Sequence, residues 1–186
     1  PWARVILVVV AIECALSMGV LAYVAWDLQH RHGVSLALSG LWIVAYPAGG
    51  LLYATFSAPL VARLGEQGLA LAGGLLIGAG YLCLLLAPAA VVVLPGLLAV
   101  GIGFAMLHNT LQVNATQMAP ESRGAAVSAF AFALFAGQSL GSWLGSLVID
   151  TRGTAPIHAA AALGVLVLSL VFRAALGRRE TGRHSR

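Results

Sequence analysis

The chain has 186 residues, of which 60% are hydrophobic and 9% charged, with a formal net charge of +4. A soluble domain carries about 25% charged residues, and a chain this short cannot bury so much apolar surface in one aqueous core. The same numbers exclude disorder, which needs a polar, charge-rich chain.

The first stretch begins at Pro1, without an initiator methionine, and runs apolar from about Val5 to Trp26. It is too long for a signal-peptide core and is followed by further hydrophobic segments. It therefore reads as a spanning helix, and the chain as an internal piece of a longer protein. About 20 apolar residues cross the hydrocarbon as a helix. On that measure further spans are expected at residues 36–61, 69–86, 91–113, 125–149 and 156–172. Polar turns separate them, at 27–33, 63–68, 118–124 and 150–154, and residues 178–186 form a basic tail. Runs such as Val5 to Ile12 are apolar on every side, whereas barrel strands would alternate. The expected fold is an all-α membrane bundle of six helices. Pro47, near the middle of the second span, predicts a kink.

All ten basic residues are arginines. With six spans both ends of the chain lie on one side, which collects Arg4, Arg63, Arg123 and the five arginines from Arg173 onward. By the positive-inside rule both ends are expected in the cytoplasm, although without the tail the vote is only three against two. No folded basic face suits a nucleic acid, so the partners expected are lipid and a small molecule.

Small-residue spacing marks helix contacts. Gly137, Gly141 and Gly145 repeat every four residues and share one helix face, and Gly74 and Gly78 do the same on the third span. Such faces let two membrane helices approach closely. Cys14 and Cys83 lie inside apolar runs and read as small core- or lipid-facing residues. With no CxxC pair, and no second histidine or carboxylate at ligand spacing from His108, neither a metal site nor any cofactor is expected.

The turn Ala58-Pro59-Leu60-Val61-Ala62-Arg63-Leu64-Gly65-Glu66-Gln67 resembles a weakened copy of the loop motif G-x-x-x-D-R-x-G-R-R of the major facilitator superfamily. Arg63 and Gly65 match; Ala58, Ala62, Glu66 and Gln67 depart. Pro120 to Gly124, with Arg123, and the later Gly137-Gln138-Ser139-Leu140-Gly141 resemble the family's tenth loop and eleventh helix. The closest look is to bacterial drug and sugar efflux members. The resemblance implies helices seven to twelve of such a transporter, a 3+3 inverted repeat, working by alternating access with a missing N-terminal six-helix half. It further implies an inner-membrane location, and proton-coupled efflux of a small molecule through a cavity lined by the first and fourth spans of each half.

Polar residues inside the spans are the candidates for that path. Glu13 is the lone acidic residue well inside a span, where a carboxylate must be neutral, paired or hydrated. Ser17 lies four residues on, on the same face. His108 and Gln112 share a face of the fourth span, and histidine changes charge near neutral pH. Gln138 lies mid-span on the fifth. Against proton or substrate roles stands plain interhelical hydrogen bonding. Asn114 and Gln117 are expected at the membrane surface, and His30, His32 and His158 facing solvent or the interface. No catalytic residues are expected, so the chain does not read as an enzyme. The rival readings are an inactive fragment, a membrane scaffold or partner subunit, and a membrane enzyme with Glu13 and His108 as acid and base. The last would need those two side chains within reach of one pocket.

Overall fold

The computed structural model describes residues 2–184. Eight α-helices account for nearly all of them: α1 (Trp2–Leu16), α2 (Met18–Leu21), α3 (Val24–His30), α4 (Leu36–Ile43), α5 (Ala45–Leu86), α6 (Val93–Gln117), α7 (Arg123–Arg152) and α8 (Ala155–His184). Short 3₁₀ turns precede α6 and α7. In acyl chains no water is available to the backbone, so each apolar run satisfies its own hydrogen bonds as helix.

Among the described residues five helical segments are long and apolar enough to cross a membrane: Trp2–His30, Leu36–Leu86, Ala90–Gln117, Arg123–Arg152 and Ala155–Thr181. One of these segments, Leu36–Leu86, takes in both the second and the third expected span. Within the polar turn at 63–68 Gly65 departs from helical geometry, with φ 59° and ψ −177°, and divides α5 into two helices. Straight, the 51 residues of Leu36–Leu86 would reach about 77 Å at about 1.5 Å per residue, more than twice the hydrocarbon thickness. They are not straight. Before Gly65, α5 climbs α6 in step: Tyr46 lies by Gly101, Gly49 by Leu98 and Ile102, and Tyr53 by Met106. After Gly65 the order reverses, with Gly73 beside Gly103 and Leu107, then Gly80 beside Gly96 and Val100. The two halves of α5 thus run in opposite directions past α6, and Gly65 is where the chain turns back.

Two other interruptions have local causes. The joint between α4 and α5 falls at Val44, just after Ile43, whose carbonyl would be the helical partner of the N–H that Pro47 lacks. The first segment is divided at Ser17 and again at Ala22–Tyr23, where the Tyr23 N–H reaches back only three residues, to the Val20 carbonyl.

Close backbone approach assembles the bundle. A Cβ on Gly137 or Gly141 would collide with the backbone of Ala11 or Ala15, so α7 lies directly on α1. Gly145 leaves room for the Tyr23 ring, whose hydroxyl donates to the Ser142 carbonyl. Gly74 and Gly78 receive Ser169 and Leu166 of α8. Ile6, Val10, Tyr81, Leu97, Leu107 and Phe172 are fully enclosed in the core. Large apolar side chains also point outward, Phe132 at 76% exposure and Leu51 at 71%. Such a surface suits lipid or another apolar partner.

Both ends of the bundle are tied by polar side chains that the sequence had placed in loops. At one end α8 continues into the residues expected to be a basic tail. The Arg179 guanidinium carbon lies 4.5 Å from the centre of the Trp2 ring, and Arg179 donates to Asn114 Oδ1 at 2.6 Å. Asn114 donates in turn to Glu66 at 2.9 Å, and Gln67 to Glu180 at 2.6 Å. Asn114 is buried, because it sits on the face of α6 that this network covers. The final expected tail residues, 185–186, lie outside the described residues. At the opposite end Arg31 donates to the carbonyls of Leu84, Leu85 and Ala87, satisfying the open C-terminus of α5.

Candidate functional site

Glu13 lies on α1 one turn before its break and is wholly enclosed. An isolated carboxylate there would cost several kcal/mol. It is not isolated. His108, on α6, brings its Nδ1 to 2.9 Å from Glu13 Oε2 across 95 positions of sequence. The imidazole is held by stacking: Phe104, one turn earlier on α6, lies parallel at 4.7 Å between ring centroids, and Phe130 of α7 is tilted at 5.4 Å. His108 retains 13% side-chain exposure, while Glu13 has none. The imidazole is therefore the more accessible edge of the pair.

The second carboxylate oxygen, Glu13 Oε1, is buried and has no hydrogen-bond partner among the described residues. The same holds for Ser17 Oγ. The Ser17 carbonyl accepts from the Tyr81 hydroxyl at 2.5 Å, and Tyr46 donates to the Met18 sulfur at 3.1 Å. Cys14, next to Glu13, is buried too, and its Sγ lies within 4.8 Å of the ligand atoms of Glu13 and His108. The three donors come from α1 and α6, whose separation in sequence hid their meeting.

The pair spans the first and fourth of the predicted spans, on helices that belong to different parts of the chain. A match to the Major Facilitator Superfamily extends over residues 6–186. The chain belongs to that superfamily. No curated protein matches it. As a Major Facilitator Superfamily member it is a multi-pass membrane protein, and membrane transport of a small molecule is its work.

The other candidates of this superfamily member fall in different surroundings. Gln112 is exposed and Gln138 half-buried, and neither bonds to Glu13 or His108 among the described residues. Arg63 and Arg123 are exposed. The contact between Glu13 and His108 brings together the two side chains an acid–base reading would need, but the superfamily is one of transporters.

A second polar group escaped sequence reasoning. Asp27, read as a loop residue, is buried on α3; it accepts from the Thr154 hydroxyl and has Arg31 at 3.7 Å and His32 at 3.9 Å. It borders an open pocket of about 440 Å³ shared with His30, Arg31, Arg152 and Thr154. His158, expected at the interface, is fully buried against the Tyr81 ring at 5.9 Å. Its place in the first turn of α8 puts it under this group rather than on the outer face. The available sequence signal was that Asp27 and Thr154 each sit at a span boundary where a charge must be compensated.

Proposed function

We propose that the chain exports a cationic or polar small molecule in exchange for protons, with Glu13 and His108 carrying the proton. The observation that supports this is the 2.9 Å contact between a fully buried carboxylate and an imidazole from another span. With one proton between them the pair is neutral overall, the state best tolerated away from water. Adding a proton makes it cationic; removing one leaves a single negative charge that a cation can compensate. Proton and cationic substrate then compete for the same place, which is the logic of antiport. Ser17, one turn on from Glu13 with an uncommitted hydroxyl, is the neighbouring polar contact for a substrate, and Gln112 and Gln138 extend the path toward the partly exposed faces of α6 and α7.

The arginine distribution supports a plasma-membrane (inner-membrane) orientation with both ends of this segment cytoplasmic. On this reading the Arg179–Asn114–Glu66 network lies on the cytoplasmic side and the Asp27–Thr154 group on the opposite one. Alternating access takes place against a partner six-helix bundle.

The test uses inverted vesicles carrying the transporter, with ethidium as the cationic probe. An imposed pH gradient should drive ethidium accumulation. Glu13→Gln and His108→Gln should remove the dependence on the gradient. Unchanged accumulation with unchanged pH dependence in Glu13→Gln would exclude the carboxyl from coupling.

A further inference from the structure

Three features of the Glu13 site are more than a proton carrier requires. A thiol stands beside the pair, the ligand atoms of Glu13, Cys14 and His108 lie within 4.8 Å of one another, and Glu13 Oε1 is buried without a partner. We propose that Glu13, Cys14 and His108 bind a divalent transition-metal cation of the zinc type. The proposal rests on the Glu13–His108 reading above and gives it a substrate class.

The donor set selects the ion. Calcium and magnesium take oxygen ligands, and a thiol with an imidazole excludes them. A mixture of thiolate, imidazole and carboxylate suits zinc, cobalt or nickel, and a purely soft ion such as copper(I) would prefer more sulfur. Three protein ligands leave the fourth tetrahedral position open to water, as in zinc sites that are not closed structural ones. The geometry requires little movement. Bonds of about 2.0–2.3 Å at tetrahedral angles place ligand atoms about 3.4–3.6 Å apart. His108 Nδ1 and Glu13 Oε2, now at 2.9 Å, would open by about half an ångström. The thiol would close by about 1.3 Å at most, within the reach of a rotating side chain.

The charge balance fits the proton reading. Before binding, the pair shares one proton and the thiol keeps its own, so the site is neutral. The cation displaces both protons to solvent, and carboxylate, thiolate and neutral imidazole around a divalent ion are again neutral. One cation thus exchanges for two protons without leaving net charge in the membrane interior. Ligand deprotonation on metal binding is general.

The experiment titrates cobalt(II) into the full chain in zwitterionic nanodiscs, with a pH indicator in weak buffer and no gradient. The expected result is one cobalt bound per chain, a thiolate-to-cobalt charge-transfer band in the near ultraviolet, release of two protons, and displacement by zinc. Cys83→Ser should keep the band. Cys14→Ser should abolish it, and His108→Gln should weaken binding by more than about tenfold, a loss that even outer partners of metal ligands produce. In case Cys14→Ser fails to fold, X-ray absorption of zinc-loaded Cys83→Ser should show one sulfur at about 2.3 Å. A missing charge-transfer band, its loss in Cys83→Ser, or a zinc shell without sulfur would overturn the site. These measurements involve no flux, so their failure leaves the ethidium result standing. Conversely, pH-independent transport would remove the proton carrier without touching the cobalt spectrum.

Discussion

The hydroxyl of Thr154 donates to the carboxylate of Asp27, joining the start of α8 to α3 across 127 positions of sequence. Both residues are buried at the wall of the open pocket, with little of either side chain left to solvent. Thr154→Val keeps the shape and removes the donor. It should destabilise the protein by about 1–3 kcal/mol, the cost of an orphaned buried acceptor. Thr154→Ser should restore most of this. Denaturant unfolding in detergent, with the two variants side by side, separates loss of the hydroxyl from loss of packing.

Glu13 and His108 should behave as a coupled unit. Removing the imidazole leaves a buried carboxyl without its partner, and removing the carboxyl leaves the ring held only by Phe104 and Phe130. The stability losses of Glu13→Gln and His108→Gln should therefore fail to add, with an interaction energy of roughly 0.5–3 kcal/mol. A double-mutant cycle on unfolding midpoints measures it. Additivity within about 0.5 kcal/mol would mean that the contact carries no energy.

Gly65 turns α5 back with φ 59° and ψ −177°, a region that belongs essentially to glycine. Gly65→Ala should cost about 1–3 kcal/mol. Gly65→Asn should be no better, because asparagine relieves the left-handed helical region, which has a different ψ. Equal melting temperatures for the wild type and Gly65→Ala would show that the turn accepts another backbone geometry.

The seam of α1 and α7 should reject side chains. Gly141→Val would drive a branched group into the Ala15 backbone and should cost about 3 kcal/mol or more, at the upper end of overpacking. Gly124, also on α7, has open space around its Cβ position, and Gly124→Ala should be neutral or stabilising by up to about 1 kcal/mol. Thermal unfolding of the two variants tests whether the seam or helix propensity decides.

The fold was legible wherever hydropathy alone decides it, because lipid makes length and apolarity sufficient to form a helix. The polar composition of 63–68 marked the turn between the second and third spans, but not that one glycine, Gly65, makes it with helix on either side. Within the site, Glu13 stood out because a lone carboxylate in an apolar run demands compensation, and His108 because it was an imidazole on a second span. Cys14 gave no such signal, since a thiol among valines and isoleucines looks like any small core residue. Asp27 and His158 were placed too far out for a related reason. Each sits where a polar segment meets an apolar one, and only the packing of distant helices decides which side of that boundary is enclosed.

The Arg179 guanidinium resting on the Trp2 indole supplies a built-in optical gauge. In a variant whose other three tryptophans are replaced, emission from Trp2 alone would register whether this cation lies over the ring. Label-free fluorescence would then follow the opening and shutting of that end of the bundle in real time.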